Sequence, residues 1–400
     1  MIQRTLYIER ILPFVDKDII KVITGIRRSG KTVLMNQVKE YLLNRGISPE
    51  QIISLNFESM QFEEYKTAKT LYEYVKSLVK NTSQKTYIFI DEIQNVAEWE
   101  RAVNSFRVDF NCDIYITGSN SNLLSGELAT HLSGRYVKID VYPFTFKEAK
   151  EMMQQKSLFT TDEVLFQNFI KFGGMPQRFE FSDENAIYAY LRDLYEAIIL
   201  KDIVSRNEIK NIDFLQKLLA FMFDTVGKEV SARSLYQKFS AEGIGCSTDS
   251  ILNYLTYIQN AFILYAAERY DITGKKLLET NKKYYCADLG LRNCLKSSEQ
   301  VDNSKLLENL VYLELCARGW NVKVGKLLNK EIDFVCYKNN DRMYVQVAYL
   351  ITKDDEAREF GNLEKIKDSY RKFVISSDNI DMSRNGIIHK NIISWLQEIN

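Results

Sequence analysis

The octapeptide Gly25-Ile26-Arg27-Arg28-Ser29-Gly30-Lys31-Thr32 constrains this chain more than any other stretch. It fits the pattern G-x-x-x-x-G-K-[ST]. Before it lies a short apolar run, Ile19 to Thr24; after it, helical spacing runs from Lys31 to Asn44 and closes at Gly46. Strand, glycine turn and helix in that order predict a loop whose N–H groups converge on an anion, reinforced by the partial positive charge of the helix N-terminus. Glycine is required where the backbone must turn inward and a side chain would block it. On this reading Gly25, Ile26, Arg27, Arg28, Ser29, Gly30, Lys31, Thr32 and Val33 surround a triphosphate. The Lys31 ammonium neutralises its outer phosphates, and Thr32 offers a hydroxyl to Mg²⁺.

Two later strands supply the rest of such a site. Tyr87 to Ile90 is an apolar run ending in Asp91-Glu92. A buried strand ending there holds Asp91 at the sheet edge as a second Mg²⁺ ligand with Thr32, and leaves Glu92 to polarise an attacking water. Asp113 to Thr117 is followed by Gly118-Ser119-Asn120-Ser121, which offers Asn120 or Ser119 as a hydrogen-bonding group for the γ-phosphate or the water. Ser133-Gly134-Arg135 contains a candidate charge-neutralising arginine, acting in its own chain or on a neighbouring copy, or merely capping a surface loop. The candidate catalytic residues are therefore Lys31, Glu92, Asn120 and Arg135, with ATP and Mg²⁺ as the implied ligands.

The surrounding pattern predicts an α/β fold. Strand-length runs at Ile52 to Phe57, Ile114 to Thr117 and Tyr136 to Val141 alternate with helix-like segments at Leu71 to Lys80 and Trp99 to Phe106, as in a parallel sheet covered on both faces. From Phe144 helical periodicity takes over, with a capping box expected at Thr160 and Glu163. Three helices expected near 211–226, 231–239 and 248–260 precede strand-like runs at Ala261 to Tyr270 and Lys282 to Cys286, the outline of a winged helix-turn-helix. A helix from Lys305 to Arg318 opens a final α/β segment. The expected domains are 1–150, 151–205 (a helical connector), 206–300 and 301–400.

Composition narrows the function classes. At 400 residues, 46% hydrophobic and 26% charged, the chain is globular and too long for one core. Its 53 basic residues balance 53 acidic ones, so the whole-molecule field favours neither nucleic acid nor membrane, and any such site must be local. The expected β-ribbon carries Arg269, Lys275, Lys276, Lys282 and Lys283, whereas the helix before it has no lysine or arginine. DNA contact through the ribbon, docking to a protein and a plain solvated face all stay open. Six cysteines without a C-x-x-C pair and two histidines leave few zinc ligands and favour reduced thiols. The N-terminus has no secretory apolar region and no run is long enough to span a membrane, so a cytoplasmic protein is expected.

Taken together, Gly25 to Thr32, Asn56-Phe57-Glu58, Asp91-Glu92-Ile93-Gln94, Thr117 to Ser121 and Leu132 to Arg135 resemble prokaryotic AAA-type ATPases with a C-terminal domain of uncharacterised function. Gly173-Gly174-Met175-Pro176, Asp288-Leu289-Gly290, Leu307-Glu308-Asn309 and Glu331-Ile332-Asp333-Phe334 extend the resemblance over nearly the whole chain. It implies a P-loop NTPase parallel sheet with helices on both faces, then a helical and winged-helix region, then a C-terminal α/β domain similar to restriction endonucleases. Nucleases of that fold use a helix carboxylate, an Asp and an acid-x-Lys strand. Here Glu308 and Asp333 match, but Gln346 replaces the acid and Ala348 stands where the lysine belongs. The last domain is thus expected to be a degenerate scaffold or DNA-contacting remnant, with a metal-dependent nuclease as the remote alternative. For the whole chain, an ATP-hydrolysing switch stands beside a DNA- or protein-binding module that uses ATP or ADP as a regulatory ligand. Homo-oligomerisation is open in both.

Overall fold

The computed structural model describes residues 2–398, apart from 81–83, 125–131, 133, 159 and 296–301. It divides into two compact units, Met1–Tyr142 with Asn260–Phe262, and Pro143–Gln259 with Ile263–Asn400.

The first unit is built on five parallel strands: β1 (Ile20–Thr24), β2 (Ile52–Asn56), β3 (Thr86–Asp91), β4 (Cys112–Gly118) and β5 (Tyr136–Asp140). Their order across the sheet is β2-β3-β4-β1-β5. The phosphate-loop strand is therefore flanked on both sides, and β1 and β3 are buried at every position, the one lysine of β1, Lys21, being paired with Asp113. Alternate residues feed opposite layers. Ile20, Val22, Ile88, Ile90, Ile114 and Ile116 pack with α3 (Ala68–Leu78) and α4 (Trp99–Asp109). Ile23, Phe89, Tyr115, Ile139 and Val141 pack on the other side with α1 (Thr5–Ile11) and α2 (Lys31–Asn44). In register, Ile23 lies beside Thr117, Ile90 beside Ile116 and Asn56 beside Asp91, so the chain ends that carry polar groups emerge along one edge.

The second unit begins earlier than the expected boundary at 150. α5 (Phe146–Gln155) is capped by Thr145 and Glu148, and Phe146 packs edge-on against Phe166 and Phe169 of α6 (Asp162–Phe172). Those aromatic contacts take it into the second unit. The cap of α6 is Thr161, whose hydroxyl accepts from Val164 N–H, rather than the expected Thr160. After α7 (Glu184–Ala197) come α8 (Ile212–Asp224), β6 (Glu229–Val230), α9 (Ala232–Ala241), α10 (Thr248–Asn260), β7 (Leu264–Asp271) and β8 (Lys276–Cys286). The strand β6 was not foreseen; two residues are too short to show a period.

One mixed sheet runs across the expected division at 300. β7 and β8 join β9 (Asn321–Leu327), β10 (Lys330–Lys338), β11 (Asp341–Val347), β12 (Arg371–Ser376) and β13 (Ile387–Asn391) in the order β13-β12-β11-β10-β9-β7-β8-β6. The link is the parallel pairing of Arg269–Asp271 with Val324–Lys326. α11 (Asn303–Ala317) is tied to this sheet by the Asn309 amide, which accepts from Cys286 N–H and donates to Cys286 C=O. The Gly173-Gly174 turn is similarly fastened: Gly174 N–H donates to Asp288, which also caps the short helix Leu289–Asn293. Among the described residues, no helix is long and apolar enough to cross a membrane.

Candidate functional site

The turn after β1 has the conformation its glycines predict. Gly25 has φ 146°, and a Cβ there would lie 2.1 Å from the Val141 carbonyl oxygen; Gly30, at φ 97°, is the N-cap of α2. Within the loop, Lys31 Nζ donates to the Gly25 and Ile26 carbonyls, both at 3.1 Å. Ser29 Oγ is buried with no hydrogen-bond partner among the described residues. A hydroxyl donor left in that state inside an amide-rich turn fits an anionic oxygen as its acceptor, since burying it unpaired costs on the order of 1–3 kcal/mol.

Across the sheet edge the acids assemble around hydroxyls. Asp91 Oδ2 accepts from Thr32 Oγ1 at 2.7 Å, and its other oxygen accepts from Thr117 Oγ1. Thr117 Oγ1 in turn accepts from Glu92 N–H at 3.0 Å. Glu92 leaves the strand with φ 52° in the left-handed region, a conformation costing about 1–3 kcal/mol outside glycine. That turn carries its carboxylate to Ser119 Oγ at 3.2 Å, to the Gln94 amide and to within 3.9 Å of Lys31 Nζ. Asn120 is 5% exposed, immediately beyond Ser119.

The structure thus brings together Lys31, Thr32, Asp91, Glu92 and Ser119, with Asn120 next in the chain. It adds Thr117 and Gln94, which the sequence reading did not single out. Thr117 was legible only as part of an apolar strand, and Gln94 only as part of the Asp91–Gln94 string. The oxygens of Thr32 and Asp91 are the hard donors that Mg²⁺ takes, and two protein oxygens fit an ion whose remaining ligands come from phosphate and water.

Arg135 does not belong to this constellation. It precedes β5, where Tyr136 pairs with Ile20, so it sits at the start of the strands and the phosphate loop follows their ends. Five residues of strand separate those levels, about 16 Å. Its guanidinium donates to Asn104, and its carbonyl accepts from Ile20 N–H. An in-chain role on phosphate is excluded by that placement. Ser133, named with it, lies outside the described residues.

The ribbon is also less basic than its sequence suggests. Lys275, Lys276 and Lys282 are exposed. Arg269 is engaged by Glu229, and Lys283 is 2% exposed because strand alternation turns it inward where Lys282 faces out. Lys283 Nζ meets Glu308 at 2.9 Å and Glu331 at 2.6 Å; Lys305 Nζ and Tyr285 OH complete the shell of Glu308. Asp333 N–H donates to the Gln346 side-chain oxygen at 3.3 Å, and its carboxylate accepts from Val347 N–H at 2.8 Å. Burial, with Glu308 nearby, pushes the Asp333 carboxyl up to about 8. Burial opposes the charge of Lys283, but Glu308, Asp333 and Glu331 outweigh it and hold the ammonium above its ordinary range. Glu308 is lowered, since Lys283 and Lys305 outweigh its own burial.

A family model described as an AAA domain matches residues 17–150, and a domain of unknown function, DUF8612, matches 163–302. An uncharacterized protein of Haemophilus influenzae is 40% identical over 400 residues, spanning 99% of this chain and 98% of that one. The uncharacterized protein MJ1544 of Methanocaldococcus jannaschii is 31% identical over 377 residues, spanning 91% and 81%. Among solved structures, the Aeropyrum pernix ORC1 protein in complex with DNA is 12% identical with a TM-score of 0.33, covering 74% of this chain and 92% of that one. AMPPCP-bound DnaA from Aquifex aeolicus is 12% identical with a TM-score of 0.34, covering 63% and 85%. Likeness at that level adds no weight to a functional reading.

Proposed function

The chain belongs to the AAA-type P-loop ATPases, a nucleotide-binding family, and from that membership we propose that it binds Mg-ATP in the Gly25–Thr32 loop and hydrolyses it. The observation that carries this reading is the joining of Thr32, Asp91, Thr117 and Glu92 through shared hydroxyl hydrogen bonds, directly beside Lys31. Bound Mg²⁺ would draw charge from the phosphate oxygens, and Thr32 and Asp91 are the residues to hold it. The loop N–H groups and Lys31 position the triphosphate. Glu92, fixed by Ser119 and Gln94, takes the proton of the attacking water and turns it toward phosphorus. Thr117 locks the direction in which Glu92 leaves β3, and Asn120, next in the chain after Ser119, would contact the same water or phosphate.

A second reading has its own observation. Lys275, Lys276 and Lys282 project from the ribbon that follows α8, α9 and α10, an order compatible with a winged helix. They suit weak contact with a phosphate backbone, with ATP or ADP acting as a regulatory ligand. Steady-state ATP turnover with and without DNA, together with the mass in solution, tests both readings. Turnover lost in Glu92→Gln while binding persists supports the hydrolase. Slow turnover unaffected by that change, with salt-sensitive DNA binding, supports the regulated binding module. In either case a cytoplasmic setting suits an ATP-dependent protein whose described cysteines form no disulfide.

A further inference from the structure

Behind the phosphate loop lies an arginine that the sequence reading passed over. Arg4 is 1% exposed, and its backbone starts α1 by accepting from Tyr7 and Ile8 N–H. Its Nη1 donates to the Ser29 carbonyl and its Nη2 to the Tyr142 carbonyl, each at 2.7 Å. The guanidinium also lies 4.7 Å from the centre of the Tyr7 ring, and the Tyr7 hydroxyl accepts from Tyr142 N–H. One residue of α2 secures the whole segment: Gln37 accepts from Arg4 N–H at 2.9 Å and donates to Ile2 C=O at 2.6 Å. Arg4 thus bridges the middle of the loop and the exit of β5.

The consequence follows from peptide geometry. The Ser29 carbonyl and the Gly30 N–H share one planar trans peptide, so they point in opposite directions. A guanidinium fixing the carbonyl on one side therefore fixes that N–H on the other. Gly30 N–H is among the first donors of α2, which have no acceptor within the helix and are the ones a phosphate uses. Gly30 has little stiffness of its own, with φ 97° and no side chain. We propose that Arg4 is a positioning residue for nucleotide binding, holding the Ser29–Gly30 peptide so that its N–H faces the phosphate. This rests on the loop being the ATP site, and it makes the segment Ile2–Arg4 part of that site.

The test compares wild type, Arg4→Met, Arg4→Lys, Gln37→Leu and Lys31→Ala, using a fluorescent ATP analogue with Mg²⁺ for affinity and glycine-labelled protein for amide shifts on adding ADP. Arg4→Met is expected to weaken binding about tenfold or more, the scale of charge-assisted hydrogen bonds, and to reduce the ADP-induced shift of Gly30. Arg4→Lys, able to reach one carbonyl, should recover part of both. Gln37→Leu loosens the segment while leaving the guanidinium intact, so it serves if Arg4→Met melts early, and should give a smaller loss in the same direction. Binding lost in Lys31→Ala but unchanged in Arg4→Met and Gln37→Leu overturns this inference alone. No binding by the wild type overturns the ATP reading beneath it.

Discussion

Each unit of this molecule gathers a lysine and carboxylates at a sheet, and the two gatherings differ in who neutralises whom. In the first, Lys31 rests on two main-chain carbonyls and stands 3.9 Å from Glu92, while Asp91 accepts only hydroxyl hydrogen bonds among those described. In the second, Lys283 sits in direct contact with Glu308 and Glu331, and Lys305 adds a second cation to Glu308. The described contacts of the first cluster are mostly with neutral dipoles, which satisfy a charge without cancelling it. The second has spent its charges on one another, as buried groups must when water is excluded. That difference, together with Gln346 and Ala348, argues against metal-dependent cleavage by the second.

The sharpest way to break this contrast is to remove each lysine. Lys31→Ala should abolish detectable ATP binding, a loss of about 100-fold or more, with the melting temperature unchanged; titration calorimetry and thermal unfolding read the two. Glu92→Gln should cut turnover by about 10²-fold or more and leave ATP affinity near that of wild type. Lys283→Met should do the reverse, destabilising the second unit by about 3–5 kcal/mol because Glu308 is left buried without its principal cation. Chemical denaturation would measure this, and retained ATP affinity would confirm the independence of the two clusters.

Smaller effects refine the comparison. With its carboxyl raised to about 8 in the folded state against 3.8 in a free side chain, Asp333 keeps its proton when folded and loses it when unfolded throughout that interval. Its contribution to stability is therefore present below about pH 4, declines as pH rises and is gone above about pH 8. Asp333→Asn should flatten this slope and raise the melting temperature at pH 8; an unaltered pH profile would show that Asp333 ionises normally. Last, replacing Lys275, Lys276 and Lys282 with Gln should lower the salt dependence of any DNA association by at most about three phosphates' worth, near 0.9 in log–log slope for each. The same replacements should leave ATP turnover measured without DNA untouched.

Much of the first site was legible because its parts are contiguous. Gly25 to Thr32 encodes turn, donor and helix start within eight residues, and Asp91 announces itself as the first charge after an apolar strand. Of the alternatives open for Arg135, the in-chain one falls away because a motif does not state which end of a strand it occupies. Once β5 is known to run parallel to β1, a residue just before β5 falls on the wrong edge. Lys283 was misread by one step of alternation, since Lys282 and Lys283 are the same residue type facing opposite ways.

The amino-acid sequence alone determined the phosphate loop, the two acids and the parallel character of the first sheet, because each follows from local spacing and backbone preference. Tertiary structure alone decided that Thr117 joins Asp91 to Glu92, that Arg4 stands behind Ser29, and that Lys283 is buried among carboxylates. The reason is the range over which the interactions act. Turn and period are settled within a few residues, whereas a hydrogen bond spanning 25 positions in the chain exists only after the sheet has set the register of its strands.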